Sequence, residues 1–362
     1  MAGPLFAYYV TDHGFGHATR ASAVMRELEA RGARVLVRTG VPSWLFADEG
    51  LAARVEPSVS DAGLAMKDAL TVDVGASLSA YMSHLSRWDE LLRVETRVLR
   101  AAGARAVVSD AGALPVHAAR RLGLKAAVVS NFTWDWVVEP YAQEDRRWET
   151  VRSRLAAAYS QADLFLHLPL GGEAPAVARR EPVPLVVRRP GLGSREVRDR
   201  LGIAPDERRP VVAFSFGGVG WGPAASAPGE DLSGFLFLAY GPRPPGVEAE
   251  WKELPRRTPL RHCDILASAD AVLTKPGYGT FSEALAARTP ALVVPRADFR
   301  ECGPLLESFR RLGRARLLPR EDFEAGRWGA GLRALLGASD PWADVDCAGA
   351  AAAARRLLEL AA

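Results

Sequence analysis

Cysteine is scarce in this 362-residue chain: Cys263, Cys302 and Cys347 are the only three. An odd number so widely spaced supplies neither metal-ligand spacing nor a disulfide framework, and fits a reducing, cytoplasmic setting. Lysine is scarce too. Lys67, Lys125, Lys252 and Lys275 are outnumbered by arginine among 46 basic residues, and with 43 acidic ones the net charge is only +3. That balance argues against a dedicated nucleic-acid surface. The arginine and alanine bias reads as codon usage and implies no mechanism. Long apolar runs are lacking: none approaches the roughly 18 residues a membrane span needs. A strand begins within the first few residues, so no signal peptide is expected.

What is present suits a globular protein. Hydrophobic residues make up 48% and charged ones 25%, as in ordinary soluble chains. The length exceeds what a single core usually serves, so two domains are expected. Short apolar runs alternate with helix-length segments. Leu5 to Thr11, Ala33 to Val37, Ala106 to Ser109, Ala126 to Ser130 and Leu164 to Leu168 lie in the first half. Val211 to Phe216, Phe235 to Tyr240, Ala271 to Thr274, Ala291 to Val294 and Arg314 to Leu318 lie in the second. This α/β pattern predicts two doubly wound parallel sheets, each covered by helices on both faces. The organisation expected is a first Rossmann-like domain over 1–180, a Pro- and Arg-rich linker over 181–195, a second such domain over 196–345 and a terminal helix over 346–362. Ligands of open parallel sheets bind at the carboxyl ends of strands, so two facing domains would share a cleft.

Two loops follow strands at that position. Lys275-Pro276-Gly277-Tyr278-Gly279-Thr280-Phe281-Ser282-Glu283 joins an apolar run to a helix. Its glycines permit close backbone approach, and the helix start offers free N–H groups and positive dipole to a phosphate. Lys275 adds a full charge, and Glu283 is placed to accept from a ribose. Thr280-x-x-Glu283 is also a capping box, which would only close the helix. The second loop is Thr11-Asp12-His13-Gly14-Phe15-Gly16-His17-Ala18-Thr19-Arg20. It sets two histidines around a glycine pair after the first strand. Histidine suits general-base work near neutral pH, and the helix dipole keeps its ring neutral. Gly14-x-Gly16-x-x-Thr19 lacks the third glycine of a dinucleotide fingerprint.

Together these loops resemble the GT-B glycosyltransferases, in general the lipid-II N-acetylglucosaminyltransferase and galactolipid synthase group. They more closely resemble the glycosyltransferase-like N-terminal region of plant L-arabinokinase and its bacterial relatives. The likeness also takes in Asn131-Phe132-Thr133-Trp134-Asp135, Val183 to Arg188, and Phe216-Gly217-Gly218, in collinear order across the chain. Asp12 departs from it, standing where glycine is expected. The chain is too short to hold a sugar kinase as well, and Pro190-Gly191-Leu192-Gly193-Ser194 runs into Arg195-Glu196 where a phosphate loop needs small residues.

The resemblance implies transfer of a sugar from a nucleoside-diphosphate sugar, UDP-linked, to a hydroxyl acceptor, with inversion and without a bound metal or other cofactor. His17 is the implied base and His13 its alternate. Gly217, Gly218, Gly277, Gly279, Thr280 and Lys275 would face the diphosphate, Glu283 the ribose, Asp264 the base pocket, and Glu301, with Asp298 and Arg300, the donor sugar. Asp12, Phe15, Asp110, Trp134 and Asp135 are the candidates on the acceptor side, although the aromatic run from Phe132 to Tyr141 also suits core packing. The stripe Leu78, Tyr81, Met82, Leu85, Trp88 and Leu92 reads as a buried helix face, with peripheral membrane contact as the alternative. A hydrolysing UDP-sugar 2-epimerase and a non-catalytic sugar-nucleotide-binding protein remain open, as do the acceptor and the oligomeric state.

Overall fold

The computed structural model describes residues 3–217, 230–255 and 257–362. It contains two parallel sheets. The first is built from β1 (Leu5–Val10), β2 (Arg34–Thr39), β3 (Arg54–Glu56), β4 (Ala106–Asp110), β5 (Lys125–Ser130), β6 (Leu164–His167) and β7 (Arg180–Pro182), in the order β3-β2-β1-β4-β5-β6-β7. The second holds β8 (Val211–Ser215), β9 (Asp231–Ala239), β10 (Glu248–Glu253), β11 (Ala271–Thr274), β12 (Ala291–Val293) and β13 (Ala315–Leu317), in the order β10-β9-β8-β11-β12-β13. All ten expected strands form. Their central members, such as Phe6 to Val10 in β1, Val211 to Phe214 in β8 and Phe235 to Ala239 in β9, are apolar because both sheet faces are covered.

Three further strands, β3, β7 and β10, carry no apolar run. Each sits on a sheet edge, where alternate residues meet solvent, and β10 reads Glu-Ala-Glu-Trp-Lys-Glu. Such charged edges block pairing with another chain.

All strands run parallel, but the strand order changes direction between β1 and β4 in the first sheet and between β8 and β11 in the second. Loops leaving those strand pairs diverge and open a crevice. Val10 pairs with Asp110, and Ser215 with Thr274, so the paired ends are level. The two histidines follow β1, Asp110 closes β4, Gly217 follows β8 and Lys275 follows β11. Both expected loops therefore arise at the switch points.

One apolar core runs through both halves. The helix Phe15–Ala30 lends Ala18 and Ala21 to it, the helix Tyr278–Ala287 lends Tyr278 and Phe281, and the helix Gly349–Ala361 lends Ala353 and Leu357. That last helix returns to the first sheet. Asp346 O accepts from Leu185 N at 2.9 Å and Ala361 O from Arg105 Nε at 3.0 Å. A Cβ on Gly349 would fall 2.1 Å from Pro184 O, so only glycine permits the close packing there. Leu78, Tyr81, Trp88 and Leu92 are buried on two helices, Val74–Ser86 and Trp88–Ala102, which explains their stripe by core packing. No helix among the described residues is long and apolar enough to cross a membrane.

Candidate active site

The helix Phe15–Ala30 starts at Gly14, whose φ of 93° excludes most side chains. One turn in, His17 turns its ring toward the end of β4. His17 Nδ1 lies 2.9 Å from Asp110 Oδ2. Arg20, one turn further, donates from Nε to Asp110 Oδ1 at 2.9 Å, from Nη1 to Asn131 Oδ1 at 2.7 Å and from Nη2 to Ser130 Oγ at 3.1 Å. Its Nη2 also donates to Asp110 Oδ1, so both protons on that nitrogen are engaged. Arg20 Nη2 also stands 2.9 Å from His17 Nδ1. With its protons spent elsewhere, the consistent assignment gives Nδ1 the proton that Asp110 accepts. The lone pair is then on Nε2.

Asp110, expected on the acceptor side, is instead 1% exposed and lies beneath His17. Burial would raise its carboxyl, but the Arg20 guanidinium and then His17 outweigh that and hold it below the usual carboxylate range. It stays ionised and fixes the imidazole.

His13 differs from His17. Its Nδ1 accepts from Leu64 N at 3.3 Å, which leaves the ring proton on Nε2. Burial, then the charges of His17, Arg296 and Lys275, lower its pKa to about 3. His13 is a neutral donor wedged between Trp134, at a ring distance of 5.3 Å, and Phe299, at 6.0 Å. The expectation that it could serve as a base is not supported by this geometry.

Across the crevice, the helix Tyr278–Ala287 begins at Gly277. The two helix starts meet: a Cβ on Gly279 would come within 3.1 Å of Gly16 Cα. Thr280 lies in that first turn. Its capping box with Glu283 does not form, because the helix is capped at Gly277 and Thr280 is already its third residue. Lys275 Nζ donates to Ala69 O at 3.1 Å, and Arg296 donates to the same oxygen from Nε at 3.1 Å and Nη2 at 2.9 Å. Neither cation has a carboxylate in ion-pair range among the described residues. Burial and then Arg296 push the Lys275 pKa down to about 7. Gly217, at φ 79°, leaves room for the lysine: a Cβ there would lie 3.8 Å from Nζ. Gly218 lies outside the described residues.

The other donor-side candidates are committed elsewhere. Glu283, expected to read a ribose, is 4% exposed. Its Oε1 accepts from Arg188 Nε at 2.7 Å and its Oε2 lies 2.6 Å from His262 Nδ1. Burial would raise its pKa, but Arg188 and then His262 keep it low. Arg188 also pairs with Glu49. Asp264 accepts from Gly191 N at 2.6 Å and Arg261 Nε at 3.1 Å, which ties the connecting segment to its helix instead of opening a base pocket. Glu301 is buried and accepts from Asn131 Nδ2 at 2.8 Å, extending the Arg20 network to the second half. Arg300 covers the Trp136 ring at 4.4 Å, and Asp298 offers its carbonyl to Tyr141.

On the acceptor side, Asp12 and Phe15 are exposed, Phe15 at 42% with its ring 6.2 Å from Trp44. Asp12 makes no pair with His13. Trp134 and Asp135 are buried, because the helix Trp134–Val138 packs wholly inward. Sequence reasoning missed Arg20, Arg188, Arg296 and His262 as bonding partners. Arg296 follows directly from the strand β12 and Pro295, a position that could have flagged it. Among the described residues no cluster of His, Cys, Asp and Glu could hold a metal ion.

The two-sheet architecture with its shared cleft is the GT-B fold. Solved structures agree across the full length. The glycotransferase of kitacinnamycin superposes with a TM-score of 0.60 at 21% identity, covering 100% of this chain and 96% of that one. A UDP-glucosyltransferase from Polygonum tinctorium superposes with a TM-score of 0.63 at 14% identity, covering 99% and 98%. No protein-family model matches the chain. In sequence, the chain is similar to L-arabinokinase of Arabidopsis thaliana, at 36% identity over 343 residues. That similarity covers 90% of this chain but only 31% of the plant protein's length.

Proposed function

We propose that the chain is a glycosyltransferase that moves a sugar from a nucleoside-diphosphate sugar, UDP-linked, to an acceptor hydroxyl. The observation that carries this reading is the pair Lys275 and Arg296. Two cations converge on one neutral carbonyl oxygen beside a helix N-terminus, an arrangement suited to an oxyanion. The resemblance to GT-B enzymes and the sequence similarity to L-arabinokinase support it further.

His17 Nε2 takes the acceptor's hydroxyl proton. The acceptor oxygen bonds to the anomeric carbon as that carbon's bond to the diphosphate oxygen breaks. The nucleoside diphosphate departs with the electron pair, and Lys275, Arg296 and the N–H groups at Gly279 and Thr280 stabilise its charge. A single displacement inverts the anomeric centre. Charge stabilisation by side chains and helix dipole makes a bound metal unnecessary in this scheme. Asp110 and Arg20 position the base.

The experiment is release of UDP from a panel of UDP-sugars, measured with and without added acceptors. Acceptor-dependent release that disappears in His17→Ala is expected. Release undiminished in His17→Ala would contradict the assignment, and release independent of acceptor would favour a hydrolysing enzyme.

A further inference from the structure

His13 takes no part in the proton transfer, yet several elements hold its ring in one pose. Leu64 N donates to Nδ1, and His13 N donates to Thr11 Oγ1, each at 3.3 Å. Gly63 makes room for the ring: a Cβ there would lie 3.1 Å from Nδ1, and its φ of 59° disfavours any side chain. The Trp134 and Phe299 rings meet His13 edge to face, at interplanar angles of 87° and 71°. Such support is what a group needs when it must present one atom in one direction.

That atom is Nε2. Because Nδ1 accepts, the ring proton is on Nε2, which has no hydrogen-bond partner among the described residues. The residue is half-buried, and Nε2 is not among the enclosed polar atoms, so it is open to the cleft. With a pKa of about 3 the ring stays neutral, and this N–H stays a donor at any pH near neutrality.

His13 also borders both ends of the displacement. Its ring is 6.5 Å from that of His17, the base. On its Phe299 side lies Arg296, whose guanidinium covers the Phe299 ring at 5.5 Å. The segment that offers Leu64 N to His13 runs on to Ala69, whose carbonyl accepts from Lys275 and Arg296. In a single displacement the acceptor oxygen, the anomeric carbon and the departing oxygen share one axis, so the transferred sugar fills the space from base to cations. A fixed neutral N–H beside that space suits a neutral acceptor atom, and sugar hydroxyls supply one. We infer that His13 Nε2 donates a hydrogen bond to a hydroxyl of the sugar being transferred, and so helps to select the donor sugar. This rests on the glycosyl-transfer reading and adds a sugar contact to it.

The test is calorimetric binding to the full chain, without acceptor, of UDP, UDP-glucose, UDP-galactose and UDP-xylose, and of the monodeoxy analogues of whichever sugar binds tightest. One deoxy analogue should bind the wild type about tenfold more weakly than its parent, the loss of one hydrogen bond. In His13→Phe, which keeps a ring but no donor, the parent should fall to the level of that analogue, while the analogue and UDP bind as before. His13→Gln, which keeps an N–H, should retain part of the difference. The inference is overturned if no deoxy analogue binds the wild type more weakly, or if His13→Phe discriminates as the wild type does. It is also overturned if His13→Phe weakens UDP and every UDP-sugar by the same factor, which would make His13 a diphosphate contact or a structural support. UDP and UDP-sugars that fail to bind the wild type at all would remove the glycosyl-transfer reading, and this contact with it.

Discussion

His17 and His13 stand four residues apart in the same loop, yet their surroundings give them opposite work. His17 has its Nδ1 side fixed by Asp110 and its Nε2 available. His13 spends Nδ1 on the Leu64 amide. Replacing His17 with alanine should therefore lower kcat by about 10²–10⁴-fold while UDP affinity stays within a factor of two or so of wild type, since the base does not bind the donor phosphates. Asp110→Asn should lose much of the same rate. His13→Gln, which keeps a hydrogen-bonding side chain, should cost far less, and the pH–rate profile should show no limb from His13 above pH 5, because its pKa is about 3. A collapse of kcat in His13→Gln with His17→Ala active would reverse the assignment.

Lys275 gives a pH prediction with a definite sign. Folded, it releases its proton near pH 7; its ordinary value is 10.5. Between those values the unfolded chain holds the extra proton, so this residue's contribution makes the ligand-free protein more stable as pH rises through that window. A diphosphate draws the proton back. UDP affinity should thus fall as pH rises from 6 to 9, and calorimetry should show proton uptake above pH 7 that vanishes in Lys275→Ala. Unchanged uptake in the variant would assign the proton elsewhere. Lys275 and His17 were legible because each follows a strand within a glycine loop. Arg188 and Arg296 were not. Their roles depend on neighbours distant in sequence, and no local pattern marks a side chain whose partner is 95 residues away, as Glu283 is from Arg188.

Among the elements, the two helix starts carry the cleft. Gly16 and Gly279 approach so closely that a Cβ on Gly279 would press to 3.1 Å from Gly16 Cα, so a larger side chain there pushes the halves apart. Gly279→Val should lower both thermal stability and kcat/KM, whereas Gly303→Ala, on a helix with open space around the site, should change neither much. A second element was not foreseen at all. Residues 60–73 leave the first sheet, pass His13 and reach the second half, where Ala69 O occupies the cations and Arg320 bonds Thr71 Oγ1 at 2.7 Å and Asp68 Oδ2 at 3.3 Å. Asp68 closes the turn by accepting from Leu70 N at 2.6 Å and Thr71 N at 2.9 Å. Asp68→Ala should loosen this strap. Faster proteolysis within 60–73 and UDP binding at least as tight as wild type are expected, since Ala69 O competes for the same donors. Weaker UDP binding would mean that the strap helps to build the site. The segment escaped sequence reading because it has neither period, and the edge strands β3, β7 and β10 escaped for lack of an apolar run.

At the scale of the molecule, Arg188 joins the halves. It lies between Glu49, which precedes β3, and Glu283, on the donor-loop helix, and all three are nearly buried. Arg188→Ala would leave Glu49 without its partner and Glu283 with His262 alone, and should cost about 3–5 kcal/mol of stability, read as a fall in the denaturation midpoint. Glu283, selected in the sequence as a ligand contact, is thus first a structural partner. The terminal helix reinforces the same joint by packing on the first helix, so the cleft's walls are held by contacts at its floor.

The central claim is that this cleft takes a nucleoside diphosphate on Lys275 and Arg296. The most direct measurement is thermal stabilisation by UDP, dTDP, GDP, ADP and CMP at equal concentration, in wild type and in the Lys275→Ala/Arg296→Ala double variant. A shift with UDP in the wild type that is lost in the double variant is predicted. No shift with any nucleotide, or an equal shift in both proteins, would contradict the account.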